Sequence, residues 1–313
     1  PMTTTYRSTR DIPEQEYLSA GTALCAGCGG LECIRLFHKV LGKDVVFVNA
    51  AGCMTLLTTY PMTPFQGSWL YTTMGSAAAG AQGVRDALDV LIERGRMSSK
   101  EDLKVVVLAG DGSSADIGLT ATSGAMHRNL DFYYLCYDNE GYGNTGFQMS
   151  STSPFGSHTH TTDPVASHPA GTEQNKKDLF EIWRAQKPPY LATVSPRHPV
   201  DMARKIEKSM ATDGPRMFLA LSPCPPGWGY EPGQTHEIAR GAVETGIWPL
   251  KEAIRGMVYH THTPKMDPVA TYLEMQDRYR HLFEPKRQEA AISQIQEKVN
   301  EYWASQNVRF RDA

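Results

Sequence analysis

Short apolar runs rich in β-branched and aromatic residues alternate with amphipathic stretches along the first two thirds of the chain. The apolar runs predict five buried strands, at 45–49, 104–108, 132–137, 190–194 and 217–221. The stretches between them predict helices around 75–95, 118–128, 176–187 and 201–210. In the last of these, Met202, Ile206 and Met210 fall on one stripe. This alternation predicts an α/β fold with a mostly parallel, doubly wound sheet.

The pattern changes near residue 225. Pro225–Trp228 opens a stretch rich in loops, and 265–305 carries amphipathic helix patterns without further strong strands. We therefore expect a domain over 1–230 and a helical C-terminal extension over 231–313 that wraps this domain or a partner subunit. The segment 140–175 is rich in Gly, Ser, Thr and His and has little periodicity. Long loops of this kind inside compact domains are usually functional.

Composition and charge narrow the class of protein. Lys and Arg number 31 against 34 Asp and Glu, a net charge of −3, so the basic surface typical of nucleic-acid binding is absent. No apolar run is long enough for a membrane span. The N-terminal residues lack the apolar run of a signal peptide, and a cytoplasmic chain is expected.

Polar side chains follow two of the predicted strands. Gly110-Asp111-Gly112 ends the second, and Asn139 follows the third, twenty-eight residues after Asp111. Glycine lets the backbone approach a ligand closely, and the helix that follows offers free N–H groups to a diphosphate. If the two strands are neighbours, a carboxylate, an amide oxygen and a backbone carbonyl form a site suited to Mg²⁺. The alternative for Gly-Asp-Gly alone is a plain strand-to-helix turn.

Six cysteines need an explanation, and a cytosolic chain favours metal or redox chemistry over disulfides. Cys25 and Cys28 form a C-x₂-C pair in a glycine-rich turn, Cys53 follows a predicted strand, and Cys224 lies in a Pro-Cys-Pro sequence. Four such thiolates suit zinc or a [4Fe–4S] cluster, and the spacing alone leaves these two and unrelated free thiols open.

The run from Asp138 to Ser150, with Gly110-Asp111-Gly112, resembles the thiamine diphosphate-binding β subunit of 2-oxoacid:ferredoxin oxidoreductases. The resemblance implies thiamine diphosphate as cofactor and Mg²⁺ held by Asp111, Asn139 and the carbonyl of Gly141. It places Asn144 near the thiazolium and the substrate, as a catalytic residue. It implies further cofactor contacts at Gly110, Gly112, Ser113, Thr145 and Gly146.

The same resemblance assigns four cysteines to a [4Fe–4S] cluster: Cys25, Cys28, Cys53 and Cys224. Cys33 and Cys136 lie in apolar stretches and are expected in the core. The segments 267–273 and 276–282 also match the family, so the resemblance covers most of the chain.

The family's activating glutamate lies on a partner polypeptide, and neither Glu32 nor Glu140 is a convincing substitute, because a solvated or capping role explains each equally well. The resemblance therefore implies an α-type subunit that supplies this glutamate and a substrate-binding arginine. It also implies a γ/δ-type subunit with further clusters, ferredoxin as electron acceptor, and a dimer of heterotrimers.

The substrate is less well determined by the sequence. Met74–Ala79 departs from the pattern of pyruvate-type relatives, and the whole chain looks closest to the subunit of an oxalate oxidoreductase. Oxalate is therefore the expected substrate, with pyruvate or another 2-oxo acid as the alternative. Two other functions stay open. One is a non-catalytic binding or assembly subunit whose cysteines hold a structural zinc ion, and the other is a non-redox thiamine decarboxylase. His158, His160 and His168 could bind metal or relay protons, but their irregular spacing favours roles as surface or cofactor-covering residues.

Overall fold

An eight-stranded sheet runs through the centre of the molecule in the computed structural model, which describes residues 5–58, 63–99 and 102–306. The strand order is β2-β1-β3-β4-β6-β5-β7-β8. The strands are β1 Val45–Ala50, β2 Ser68–Thr72, β3 Lys104–Gly110, β4 Phe132–Asp138, β5 Tyr190–Val194, β6 Pro215–Leu221, β7 Lys251–Ile254 and β8 Met257–His260. From β2 to β5 all neighbours pair in parallel, and β7 and β8 add an antiparallel hairpin at the edge next to β5.

Helices connect and cover the strands on both faces of the sheet. They are α1 Gly29–Leu41, α2 Ala77–Glu93, α3 Leu119–His127, α4 Leu179–Arg184, α5 Pro199–Ser209, α6 Pro225–Trp228, α7 Thr235–Glu244, α8 Val269–Leu273 and α9 Glu289–Ser305. Helices α1 and α5 pack together on one face, and α2 and α3 pack together on the other. The α/β fold with a mostly parallel sheet and a helical C-terminal region is confirmed.

Strand β4 shows why the sheet is buried on both faces. All seven of its residues are buried, and alternate side chains enter different core clusters. Phe132, Tyr134 and Cys136 join the cluster that α2, α3 and the C-terminal helices cover. Tyr133 and Leu135 join the cluster beneath α1 and α5. Because side chains alternate across a strand, a continuous apolar run is what a doubly covered strand requires.

The sequence predictions missed three strands, β2, β7 and β8. Each has only four or five residues, and β2 and β8 are largely exposed or half-buried because they lie at the two edges of the sheet. Short edge strands lack the continuous apolar run that identifies a buried strand. Met210 also differs from its prediction: Met202 and Ile206 are fully buried, but α5 ends at Ser209 and Met210 is 44% exposed.

The extension after residue 230 contributes to the same sheet and core as the preceding residues. It supplies β7 and β8, and buried residues of α7, α8 and α9, such as Ile238, Tyr272 and Ile292, join one of the two core clusters. A domain boundary at residue 230 stays a prediction. Across the described parts of the chain, no helix combines the length and apolarity that crossing a membrane requires.

Candidate functional site

The two polar loops singled out in the sequence emerge side by side from the centre of the sheet. Strands β3 and β4 are parallel neighbours, and Gly110 is paired with Tyr137 at their carboxyl ends. Asp111 therefore leaves β3 next to the point where Asn139 leaves β4. The carboxyl edge of a parallel sheet is a common location for ligand sites in α/β folds.

All three predicted magnesium ligands lie there: Asp111, Asn139 and the carbonyl of Gly141. One terminal atom of the Asn139 amide lies 2.6 Å from Oδ1 of Asp111 and 2.9 Å from the carbonyl oxygen of Gly141. With nitrogen in that position, the amide donates to both oxygens. With oxygen there, the amide oxygen faces two other oxygens at separations close to those around a cation, because bonds of about 2.0–2.1 Å to Mg²⁺ hold neighbouring ligand oxygens roughly 2.9 Å apart.

Asp111 is completely buried and depends on hydroxyl groups for its hydrogen bonds. Its Oδ2 accepts from Oγ of Ser150 at 2.5 Å and from Oγ1 of Thr152 at 2.8 Å. Burial, and then the charge of Asp138, raises the pKa of Asp111 to about 8. These hydroxyl donors favour the ionised form but do not outweigh burial. Among the residues that the structure describes, no cation forms an ion pair with this carboxylate.

The neighbouring carboxylates do have cationic partners. Nζ of Lys176 lies 3.0 Å from Oδ2 of Asp138 and 2.6 Å from Oε1 of Glu140, and Nη1 of Arg278 lies 2.8 Å from Oε2 of Glu140. Burial alone would raise the pKa of Glu140, but the charges of Lys176 and Arg278 outweigh it and hold the pKa below its usual value. Three buried carboxylates thus share two cations, and the one left over is Asp111.

Glu140 corrects one sequence interpretation. A solvated or capping role was one explanation for this residue, but its side chain is 4% exposed and is held between Lys176 and Arg278. Glu32 is half-buried, and its Oε2 lies 3.3 Å from Nε2 of His236. Both acids are therefore already engaged by other side chains of this chain.

Two glycines allow close approaches that a side chain would block. A Cβ at Gly112 would lie 2.3 Å from the ring of Tyr142, whose hydroxyl donates to Oδ2 of Asp116 at 2.9 Å. A Cβ at Gly143 would lie 2.5 Å from Nδ2 of Asn139 and 3.3 Å from Sγ of Cys53. The second contact shows that the loop after β4 separates the magnesium ligands from the cysteines.

The remaining predicted cofactor contacts occupy the same two loops. The Ser113 hydroxyl donates to the carbonyl of Met74, and Gly112–Ile117 forms a π-helical segment that leads into α3. Asn144, Thr145 and Gly146 are exposed at the tip of the loop after β4. They are thus accessible to a bound molecule or a partner subunit.

The four cysteines predicted as ligands line one cavity of about 140 Å³: Cys25, Cys28, Cys53 and Cys224. Cys28 immediately precedes α1, Cys224 immediately precedes α6, and Cys53 follows β1. Asn139 and Asn144 line the same cavity. The cysteine cavity and the Asp111 site therefore share the loop after β4 as a common wall.

Burial keeps three of these thiols protonated in the absence of a metal, because it raises the pKa of Cys28, Cys53 and Cys224. Burial, and then the charges of neighbouring cysteines, raises the pKa of Cys53 to about 12. Burial likewise raises the pKa of Cys224 to about 11. Because thiolates are the metal-binding form, positive charge from a bound metal would be needed to hold them ionised together. Cys33 and Cys136, by contrast, are fully buried in the two core clusters, as expected.

The loop histidines do not converge on one another. Nε2 of His158 lies 2.6 Å from Oδ1 of Asp163, and Nδ1 of His168 lies 2.9 Å from Oε2 of Glu173. Within the described ranges, these histidines do not belong to any group of three potential metal ligands.

Several site residues escaped the sequence analysis. Ser150 and Thr152 bind Asp111 from within the long loop, and Lys176 and Arg278 reach the site from 36 and 138 residues beyond Glu140 in the chain. Charge alternation in the sequence gives no indication of such pairings. Only the assignment of Arg278 to a segment that matches the family could have drawn attention to it.

Comparisons with known proteins identify the family of the chain. Residues 50–219 match the family described as thiamine pyrophosphate enzyme, C-terminal TPP binding domain. The chain is 44% identical over 293 residues to pyruvate synthase subunit PorB of Methanocaldococcus jannaschii, which covers 93% of this chain and 96% of the relative. It is 33% identical over 296 residues to ketoisovalerate oxidoreductase subunit VorB of Pyrococcus furiosus, with 93% of each chain covered.

A solved structure supports the fold. The 2-oxoglutarate:ferredoxin oxidoreductase from Magnetococcus marinus superposes with a TM-score of 0.55 at 22% identity and covers 76% of this chain and 84% of its own. Family match, relatives and fold agree, and the chain belongs to the thiamine pyrophosphate enzymes as a thiamine diphosphate-binding β subunit of the 2-oxoacid:ferredoxin oxidoreductase family.

Proposed function

We propose that this chain is the β subunit of a pyruvate:ferredoxin oxidoreductase, with thiamine diphosphate and Mg²⁺ at the Asp111 site and a [4Fe–4S] cluster at the four cysteines. One observation carries the proposal: the two sites share the loop after β4, with Asn139 contacting Asp111 on one side and lining the cysteine cavity on the other. An oxidative decarboxylase needs this adjacency, because electrons must leave the organic cofactor for a metal centre. A simple decarboxylase does not.

The residues of the Asp111 site fit the magnesium diphosphate. Asp111, the amide oxygen of Asn139 and the Gly141 carbonyl supply three hard oxygen ligands, and bound Mg²⁺ would give the Asp111 carboxylate the cationic partner that no described side chain provides. Bound thiamine diphosphate would supply a nucleophilic carbon and stabilise the electron pair left by loss of CO₂. Asn144, exposed between the two sites, is positioned to contact the substrate.

The cysteine cavity favours a cluster over zinc. In the described part of the chain, no three of the cysteine sulfurs lie within 4.8 Å of one another. Zn–S bonds of about 2.3 Å hold tetrahedral sulfurs roughly 3.8 Å apart, whereas the corners of a four-iron cluster hold their cysteine sulfurs farther apart. The buried charge network around Asp111 also disfavours a non-catalytic assembly subunit, which would have no use for it.

The relatives favour pyruvate over the oxalate that the sequence had suggested. PorB subunits named for pyruvate synthase match at up to 44% identity over more than nine tenths of the chain. The departure at Met74–Ala79, one of the reasons for expecting oxalate, begins next to the diphosphate element, where the Met74 carbonyl accepts from Ser113.

A partner subunit is needed to complete the site. Glu140 is held by Lys176 and Arg278 and is unsuited to activate the cofactor, so the activating glutamate and the substrate arginine are expected from an α-type subunit. Two exposed apolar residues offer a surface near the diphosphate element: Ile117, which is 65% exposed, and Tyr71 of the edge strand β2, which is 51% exposed. A γ/δ-type subunit with further clusters, ferredoxin, and a dimer of heterotrimers complete the proposed assembly.

The test uses the anaerobically purified complex with pyruvate, 2-oxoisovalerate and oxalate, following reduction of a viologen dye. We expect pyruvate to give the highest kcat/KM. A preference for oxalate would restore the sequence-based expectation and contradict this proposal. The Cys53→Ala variant should lose iron, sulfide and dye reduction while keeping thiamine diphosphate. Wild-type complex that carries zinc and no iron at the cysteines would overturn the cluster assignment.

A further inference from the structure

Three potential metal ligands converge at a second place, where the α/β domain meets the C-terminal extension. His198 immediately precedes α5, Glu244 is the last residue of α7, and His262 follows β8. One ligand atom from each lies within 4.8 Å of the other two. None of the three lines the cysteine cavity.

The ring nitrogens at this cluster lack the partners that buried nitrogens normally have. Nδ1 of His198 and Nε2 of His262 are inaccessible to solvent, and in the described residues neither has a hydrogen-bond partner. Nε2 of His262 lies 3.5 Å from Oε1 of Glu244, and the two imidazole centroids are 5.2 Å apart. Burying a polar atom without a partner is unfavourable, so two such atoms in one cluster with a carboxylate need an explanation.

We propose that His198, Glu244 and His262 bind a divalent transition-metal ion of the zinc type, at a site separate from the thiamine and cluster sites. Two imidazoles and a carboxylate are a common zinc ligand set, with water in the fourth position. Bonds of about 2.0–2.2 Å to a tetrahedral ion hold ligand atoms roughly 3.4 Å apart. The ligand atoms lie within 4.8 Å of one another, so binding would draw them together by at most about 1.4 Å.

The ion would join parts of the chain that are distant in sequence. His198 lies in the α/β domain just after β5, whereas Glu244 and His262 flank the β7–β8 hairpin that pairs with β5. The same extension carries Arg278, which reaches back to Glu140. A metal bound at this junction would fix the extension against the sheet at a point where β5 and β7 pair for only three residues.

The test measures zinc and iron together in the anaerobically purified complex. Each sample is equilibrated with Zn²⁺ and then passed through a desalting column before elemental analysis. Wild type should retain about one zinc per β subunit, and His262→Gln should lose it through an affinity reduction of about 100-fold or more. His168→Asn is the matched control, because His168 pairs with Glu173 at 2.9 Å but has no third ligand.

The iron content of the variants distinguishes metal binding at this site from metal binding at the cysteines. We expect His262→Gln to keep its full iron content, and Cys53→Ala to lose iron while retaining the zinc that depends on His262. The dependence of zinc retention on His262 would hold even if the cysteines carried no cluster. Equal zinc in wild type and His262→Gln, or no retained zinc in wild type, would overturn the proposal.

A second variant and a spectrum cover the case in which His262→Gln fails to assemble. Glu244→Gln removes the anionic ligand and should also lower zinc retention. In the difference spectrum between Co²⁺-loaded and untreated complex, which subtracts the absorption of the iron–sulfur clusters, Co²⁺ at the wild-type site should give weak visible bands without new ultraviolet absorption from thiolate ligands, and Glu244→Gln should abolish those bands. Cobalt spectra that show only thiolate absorption would place all binding at the cysteines and refute the site.

Discussion

Asp111 and Glu140 are buried carboxylates within one polar network, yet their protonation is biased in opposite directions. Asp111 has hydroxyl donors and an amide, and its pKa is raised to about 8. Glu140 has Lys176 and Arg278, and its pKa is held below the usual value despite equal burial. The difference shows that burial alone does not decide whether the pKa of a carboxyl group rises or falls, because the charges beside it matter as much. The carboxylate without a cationic partner is the one positioned to accept a metal ion.

The largest effect is expected from removing the charge of Asp111. Asp111→Asn keeps the side-chain volume but loses an anionic ligand, so Mg²⁺-dependent binding of thiamine diphosphate to the complex should weaken by about a thousandfold, or roughly 4 kcal/mol. Titration calorimetry measures this. The exposed Glu173→Gln serves as a control and should bind normally. Unchanged affinity in Asp111→Asn would remove Asp111 from the metal site.

Breaking the ion pair between Glu140 and Arg278 should lower the stability of the fold, whereas the change at Asp111 lowers cofactor affinity. Arg278→Met leaves Glu140 with Lys176 alone and should destabilise the fold by about 3 kcal/mol, because a buried charge loses one of its partners. Thermal unfolding of the complex measures the change. The double variant Glu140→Gln/Arg278→Met should recover part of the loss, since it removes the unpaired charge as well. A single variant as stable as wild type would show that Glu140 does not need this partner.

The two carboxylates should also differ in their response to pH. In the cofactor-free fold Asp111 keeps its proton up to about pH 8, whereas in the unfolded chain it releases the proton near pH 3.8. Between these values the unfolded state is favoured progressively, so the contribution of Asp111 to stability falls as pH rises, by up to about 1.4 kcal/mol per pH unit.

Asp111→Asn isolates this contribution. The melting temperature of the cofactor-free variant should exceed that of wild type by a margin that widens from pH 5 to pH 8. Saturating Mg²⁺ and thiamine diphosphate should abolish the margin, because the bound cation stabilises the ionised form. A margin that narrows with rising pH would contradict the raised pKa.

The smallest effect is expected at the hydroxyl donors. Ser150→Ala removes one of the two hydroxyl hydrogen bonds to Oδ2 of Asp111, and Thr152 remains. Magnesium affinity should fall by about tenfold, roughly 1.5 kcal/mol, because a hydrogen bond to a charged group contributes about that much and Thr152 still donates. A loss as large as that of Asp111→Asn would mean that Ser150 itself contacts the ion.

The sequence predicts those site residues that directly follow a strand recognisable from its apolar run. Asp111 and Asn139 follow strands that are long, apolar and central, so their positions and their proximity could be predicted. Lys176 and Arg278 could not, because their pairing with Glu140 depends on how a long loop and the extension return to the sheet. The short strands β2 and β7 were missed for a related reason: tertiary pairing, more than an apolar run, holds them in place.

Gly143 is the backbone position at which the two sites meet. A Cβ there would lie 2.5 Å from the amide of Asn139 and 3.3 Å from the sulfur of Cys53, so its missing side chain leaves room for both groups. A side chain at this position would press on the amide and on the thiol together. One backbone position therefore sets how closely the cysteine cavity and the Asp111 site can approach each other.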